Sequence, residues 1–163
     1  MLCNNLIASN LNKTLSINRI GDFIRQNFLT ALHLYREINQ YLVVEKYVRL
    51  NLTSNQRSLL AQLRIGILPI RVETGRFNNM KLQDRLCQQC NLQQVEDEIH
   101  FLFYCELYAE ERNNFINEMS IIHPTFTRYN DIEKVTFCCQ EQPRKFSKYI
   151  KLIYDKRNCT MYI

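Results

Sequence analysis

The sequence predicts a mainly α-helical fold, and two observations lead to this class. The 163 residues include only 3 glycines and 3 prolines, so tight turns are few. Apolar residues recur at intervals of three and four, as they do along one face of a helix, and show no strict alternation. With 46% hydrophobic residues, the chain is long enough to bury one core. We therefore expect a single helical domain.

The N-terminal third predicts an irregular start followed by two helices. Residues 1–19 are rich in asparagine and weakly periodic, so we expect a ragged segment ahead of a domain that covers 20–163. The spacing of apolar residues from Ile20 to Leu34 predicts an amphipathic helix. A looser pattern from Tyr35 to Leu50 predicts a second helix, either continuous or broken near Asn39.

The middle of the chain predicts one further helix and a connection. Thr53 or Ser54 can act as N-cap of a helix from about Asn55 to Arg64. Gly66 and Pro69 follow it and are expected to close it. The polar, basic stretch from Ile70 to Leu86 predicts an extended connection.

Three more helices are predicted in the second half. The first, from Glu96 to Tyr104, carries acidic residues in its first turn, where carboxylates favour the positive end of the helix dipole. Apolar spacing predicts a second helix from Leu107 to Met119 and a last one from about Arg144 to Lys156.

The residues between the connection and these helices carry a pattern that is typical of metal binding. Cys87, Cys90, His100 and Cys105 follow the spacing C-x2-C-x9-H-x4-C. Two thiolates separated by two residues fit a tight knuckle, and a second pair downstream can complete a tetrahedron around zinc. Residues five apart lie ~140° apart on an ideal helix, so the helix must distort or end near Tyr104 for both to reach one ion.

We interpret these four residues as ligands of one structural zinc ion in a unit that covers about 82–119. Four protein ligands leave no open position for a substrate, which is typical of structural zinc and not of catalytic zinc. Two alternatives are open: a redox-active pair at Cys87 and Cys90, or ordinary buried cysteines with a core histidine. The redox alternative lacks its usual strand-before-helix context.

The charged residues are segregated along the chain, although the net charge is only +5. Basic residues predominate from Lys46 to Arg85, whereas acidic residues predominate from Glu96 to Glu118. Basic side chains close to the zinc motif are candidates for phosphate contacts in RNA or DNA; they are Arg57, Arg64, Arg71, Arg76 and Arg85. The alternative is that these arginines are solvated or pair with the acidic segment.

Other partners are not expected from the sequence. The start MLCNNLIASN lacks the charged and apolar regions of a signal peptide, and no apolar run reaches bilayer length. We therefore expect an intracellular protein, nuclear or cytoplasmic, with no membrane and no small-molecule substrate as partner. The pattern does not indicate an oligomeric state.

The segment from Arg57 to Cys105 resembles the zinc-binding region near the C-terminus of the reverse transcriptases of non-LTR retrotransposons. The shared features are an arginine-rich helix ending in LRIGILP, the segment TGRF, the C-x2-C pair, and an acidic lead into HFLFYC. The resemblance implies that the four motif residues are zinc ligands and that the region helps its protein to hold nucleic acid.

The same resemblance does not imply polymerase activity. A polymerase needs paired aspartates that hold two metal ions, and the sequence has no Asp-Asp pair. We predict no catalytic residue and expect a non-enzymatic, retrotransposon-derived zinc-binding domain that assists nucleic-acid binding. The alternatives are a protein-interaction module with purely structural zinc, or a decayed element without a selected function.

Overall fold

A computed structural model of the protein describes Leu34, Ile38 and residues 46–160. The irregular segment predicted over 1–19 and almost all of the helix predicted from Ile20 to Leu34 lie outside the described residues. Leu34 and Ile38 are helical and buried in the core. The end of the second predicted helix is a 3-10 turn over Lys46–Arg49.

The described part of the chain is mainly helical, as predicted. Its α-helices are α1 (Ser54–Arg64), α2 (Arg71–Phe77), α3 (Ala109–Ile122), α4 (Asp131–Glu141) and α5 (Pro143–Thr160). Across 46–160 there is no named strand, and an isolated antiparallel bridge joins Leu86 to Val95. Within the same residues, no helix is both long and apolar enough to cross a bilayer.

Helix α1 begins at Ser54, one residue before the predicted Asn55, and Thr53, one of the two predicted candidates, is its N-cap. The side chain of Thr53 accepts a hydrogen bond from the backbone N–H of Gln56, and the Gln56 side chain accepts one from the Thr53 N–H, which is a capping box. Gly66 follows the helix with a φ of 70°, a left-handed conformation that glycine adopts at no steric cost. The N-cap and the closing glycine are confirmed.

The expectation of an extended connection from Ile70 to Leu86 is wrong in its first half, which forms α2. Apolar spacing does not indicate this short helix; polar contacts hold it instead. Buried Glu73 accepts two hydrogen bonds from Arg76 at 2.5 and 2.9 Å. The Arg85 guanidinium donates to the carbonyls of Met80 and Val72, so the returning chain is held against the helix.

Helix α4 is a second helix that the sequence analysis missed. A capping box starts it: the Asn130 side chain accepts from the Glu133 N–H at 2.9 Å, and the Glu133 carboxylate accepts from the Asn130 N–H at 2.8 Å. The spacing of an N-cap residue and a glutamate three positions later is the signal that could have found it. The last helix starts at Pro143, close to the predicted Arg144, and continues beyond the predicted Lys156.

The core lies where α5 packs against α1, α3 and α4. The ring of Phe115 in α3 stacks on Tyr149 in α5, with centroids 4.2 Å apart and planes 4° from parallel. The Tyr149 hydroxyl donates a 2.5 Å hydrogen bond to the carbonyl of Leu102. Helix α5 therefore supports the segment that carries the predicted histidine ligand.

Candidate metal centre

The first two cysteines lie on a short hairpin, residues 85–96. The Cys87 N–H donates to the Gln94 carbonyl at 2.8 Å, and the Glu96 N–H donates to the Arg85 carbonyl at 3.0 Å. Cys90 lies in the turn that these two hydrogen bonds enclose. The Gln89 N–H points at the Cys87 sulfur at 3.4 Å, and such amide contacts stabilise negative charge on a thiolate.

The second two ligands lie at either end of a π-helical turn, His100–Tyr104. The Cys105 N–H donates to the His100 carbonyl at 2.8 Å, a bond between residues five apart. Residues joined in this way become neighbours on one face, as residues four apart do in an α-helix. The predicted distortion before Cys105 is therefore confirmed, and the π turn is the form it takes.

Side chains outside the turn satisfy the polar groups that this winding leaves free. The Asp97 carboxylate accepts from the His100 N–H at 2.7 Å and caps the start of the segment. At the other end, Arg112 of α3 donates to the Cys105 carbonyl at 2.7 Å. Protein groups alone thus hold the π turn at both ends.

The structure brings the four predicted ligands together as one group. Their ligand atoms all lie within 4.8 Å of one another. The sulfurs of Cys87 and Cys105 are 3.9 Å apart, and the Cys90 sulfur lies 3.4 Å from Nε2 of His100. Tetrahedral zinc needs about 3.8 Å between two sulfurs and about 3.5 Å between sulfur and nitrogen. The two measured edges fit this ion, and the predicted cluster is confirmed.

The centre is shielded from solvent on most sides. Cys87, His100 and Cys105 are buried, and Cys90 is half-buried. A hydrogen bond between the sulfurs of Cys87 and Cys105 lowers the pKa of Cys87 to about 3. The same hydrogen bond, together with burial, raises the pKa of Cys105. These opposite shifts favour one proton on the pair, and a bound cation would favour the thiolate form of both sulfurs.

The predicted helix from Glu96 to Tyr104 begins later than expected, because Glu96 has a different role. Helical residues start at Glu98, and Glu96 lies at the end of the hairpin with only 1% of its surface exposed. Its carboxylate accepts from the Arg71 backbone N–H and from the guanidinium of Arg157. Sequence reasoning missed this role because the partners are 25 and 61 residues away.

The five arginines predicted to bind nucleic acid do not form one free basic surface. Three of them use their guanidinium groups within the protein: Arg57 donates to the carbonyls of Val48 and Leu50, Arg76 binds Glu73, and Arg85 donates to the carbonyls of Met80 and Val72. Arg64 is buried, with its guanidinium over the ring of Tyr47 at 5.3 Å. Arg71 is half-buried at the start of α2. Their contact with nucleic acid stays a prediction.

Comparisons of the chain with models of protein families, with curated proteins and with solved structures found no match. They identify no family and give the retrotransposon resemblance no support. Support for a metal site at the Cys3His group therefore comes only from the residues of this chain.

Proposed function

We propose that this chain is a non-enzymatic domain in which one structural zinc ion, held by Cys87, Cys90, His100 and Cys105, organises a nucleic-acid-binding module. The observation that carries the proposal is the fit of two separate ligand pairs to the edges of a zinc tetrahedron. Three cysteine sulfurs and one imidazole nitrogen are the soft donors that favour zinc over magnesium or calcium.

Zinc at this centre would join two elements of the structure, the hairpin and the π turn. Cys87 and Cys90 belong to the hairpin, whereas His100 and Cys105 belong to the π turn that leads into α3. Four protein ligands fill a tetrahedral ion, so zinc would supply folding free energy and not a reactive water. A structural role without catalysis follows from this closed donor set.

Nucleic-acid binding is supported by the resemblance to the zinc region of reverse transcriptases and by the basic excess before the motif. Because the five predicted arginines have protein contacts or are partly buried, phosphate contacts would fall largely to basic side chains that are exposed. In the described residues these include Arg49, Lys81, Arg128, Arg144 and Lys148. Arg144 and Lys148 are one helical turn apart on α5 and are the first pair to test.

A protein-interaction module is the second candidate, and a specific observation favours it. Large apolar side chains are exposed on and before the zinc hairpin; they are Phe77 at 72%, Leu82 at 51%, Leu92 at 41% and Leu86 at 37%. Exposed apolar side chains that occur together mark protein contacts more often than phosphate contacts. In this case zinc would hold the hairpin so that its exposed apolar side chains face a protein partner.

The test combines elemental analysis for zinc with a salt titration of binding to labelled single-stranded and duplex nucleic acid. The proposal predicts one zinc per chain and an affinity that falls steeply with ionic strength. The Arg144→Gln, Lys148→Gln double variant should reduce the slope of log K against log salt concentration by roughly 2. Glu110→Gln, in the acidic segment from Glu96 to Glu118, should not reduce this slope. One zinc without nucleic-acid binding would favour the interaction module, and no zinc would refute the proposal.

A further inference from the structure

The imidazole of His100 has polar groups on both sides of its ring. Its Nε2 lies 3.4 Å from the Cys90 sulfur and faces the other ligands. Its Nδ1 lies 3.3 Å from Oε1 of Gln94. Only 3% of the histidine surface is exposed, so the ring has little access to water as an alternative partner. The surroundings of both nitrogens are therefore set by protein groups.

These two contacts require one particular tautomer when a metal is bound. A nitrogen that binds zinc must carry a lone pair, so Nε2 as ligand places the single proton on Nδ1. An Nδ1–H group needs an acceptor, and a glutamine Oε1 can only accept. The orientation of the Gln94 amide therefore matches the protonation that zinc binding through Nε2 demands.

Gln94 also contacts the other half of the centre through its backbone. Its carbonyl accepts the hydrogen bond of the Cys87 N–H at 2.8 Å. One residue thus fixes the first cysteine with its main chain and faces the histidine with its side chain. Gln94 and His100 are six residues apart in sequence, and the end of the hairpin and the Asp97 cap lie between them.

We propose that Gln94 is a positioning residue for the metal centre: its amide oxygen holds the Nδ1–H tautomer of His100 and aims Nε2 at the ion. The inference rests on the proposed zinc site and assigns a function to a residue outside the Cys3His set. Partners of this kind, which hydrogen-bond a metal-binding histidine, typically contribute a factor of about 10 to 100 to metal affinity. Because Gln94 itself is exposed, water can partly replace it, and the lower end of this range is expected.

The decisive experiment measures zinc affinity by competition with a chromophoric chelator for the full chain and three variants. Gln94→Met keeps the length of the side chain and removes the acceptor, and its affinity should fall about tenfold. Gln94→Glu keeps an acceptor and should bind at least as tightly as the parent. Gln88→Met is the matched control, because this residue lies in the same hairpin and is exposed; its affinity should not change.

A second readout separates positioning from general loss of structure. Long-range proton–nitrogen NMR spectra of the zinc-loaded parent should show His100 bound through Nε2 and protonated at Nδ1. Equal affinities for the parent and Gln94→Met, or zinc on Nδ1, would overturn the inference and leave the zinc site intact. A parent chain that binds no zinc would overturn the proposed function and this inference with it.

Discussion

The carboxylate of Glu96 binds the guanidinium of Arg157 through two hydrogen bonds, of 2.8 and 2.9 Å, although 61 residues separate them. Glu96 ends the zinc hairpin and Arg157 lies near the end of α5; 1% and 6% of their surfaces are exposed. The Arg71 N–H donates to the same carboxylate at 2.7 Å. One buried ion pair thus fastens the hairpin to α2 and α5.

This ion pair predicts a large effect when one partner is removed. Glu96→Gln should lower the free energy of unfolding by about 3 kcal/mol, because it removes the negative charge that is hydrogen-bonded to the buried Arg157 guanidinium. Chemical denaturation at pH 7 in excess zinc measures the change. Glu141→Gln, which breaks the exposed pair with Lys46, is the control and should cost less than about 1 kcal/mol.

A double-mutant cycle separates the pair from its surroundings. Arg157→Met in the Glu96→Gln background should cost much less than Arg157→Met alone, because the partner charge is already gone. Additive losses in the cycle would show that the two residues act independently, contrary to the geometry.

Removal of zinc should destabilise the domain by the same amount that ligand loss does. In the parent chain, a chelator should lower the melting temperature, since metal binding contributes folding free energy. His100→Ala should melt at the lower temperature with or without chelator, and chelator should not shift it further. Cys159→Ala, which changes an exposed cysteine outside the centre, should behave like the parent. Equal melting of the parent with and without zinc would contradict the structural role.

A side chain at Gly75 in α2 should clash with the side chain of Arg85. A Cβ at this position would lie 2.7 Å from Cγ and 2.9 Å from Cδ of Arg85, whose guanidinium is held by the carbonyls of Met80 and Val72. Gly75→Ala should therefore destabilise the protein by roughly 1–3 kcal/mol, despite the better helix propensity of alanine.

The matched background for this test is Arg85→Ala, which removes the atoms that the new methyl group would meet. In that background, Gly75→Ala should be neutral or stabilising by up to about 1 kcal/mol. Thermal melts of the four proteins measure the coupling. A loss of stability that persists without the Arg85 side chain would place the cause elsewhere.

Local signals in the sequence were sufficient for some parts of this structure. The N-cap at Thr53, the spacing of the four ligands and the need for a distorted helix before Cys105 all depend on residues close in sequence. Short-range geometry determines such features, so a pattern of spacings contains most of the information.

Other parts depend on partners far along the chain. Helix α2 is short and held by polar contacts, so its apolar spacing gives no signal. The acidic residues before His100 predict a first helical turn, but Glu96 is buried and its partners come from α2 and α5. A charged residue buried against a distant partner cannot be distinguished in sequence from a solvated one.

The coupled thiols predict how many protons zinc displaces. The hydrogen bond between the two sulfurs lowers the pKa of Cys87 to about 3, so we expect Cys87 to be a thiolate near neutral pH. The raised pKa of Cys105 means that this thiol keeps its proton until the metal arrives. Since zinc binds thiolates, Cys105 should release one proton on binding and Cys87 none.

Zinc binding at pH 8 should therefore release fewer protons than the three that three protonated thiols would supply. Titration calorimetry in two buffers of different ionisation enthalpy measures this number. Because binding releases protons, zinc affinity should rise with pH, and the slope of log K against pH should be below three. Release of three protons would show that Cys87 is protonated before zinc binds, and that the hydrogen bond between the two sulfurs does not hold a thiolate.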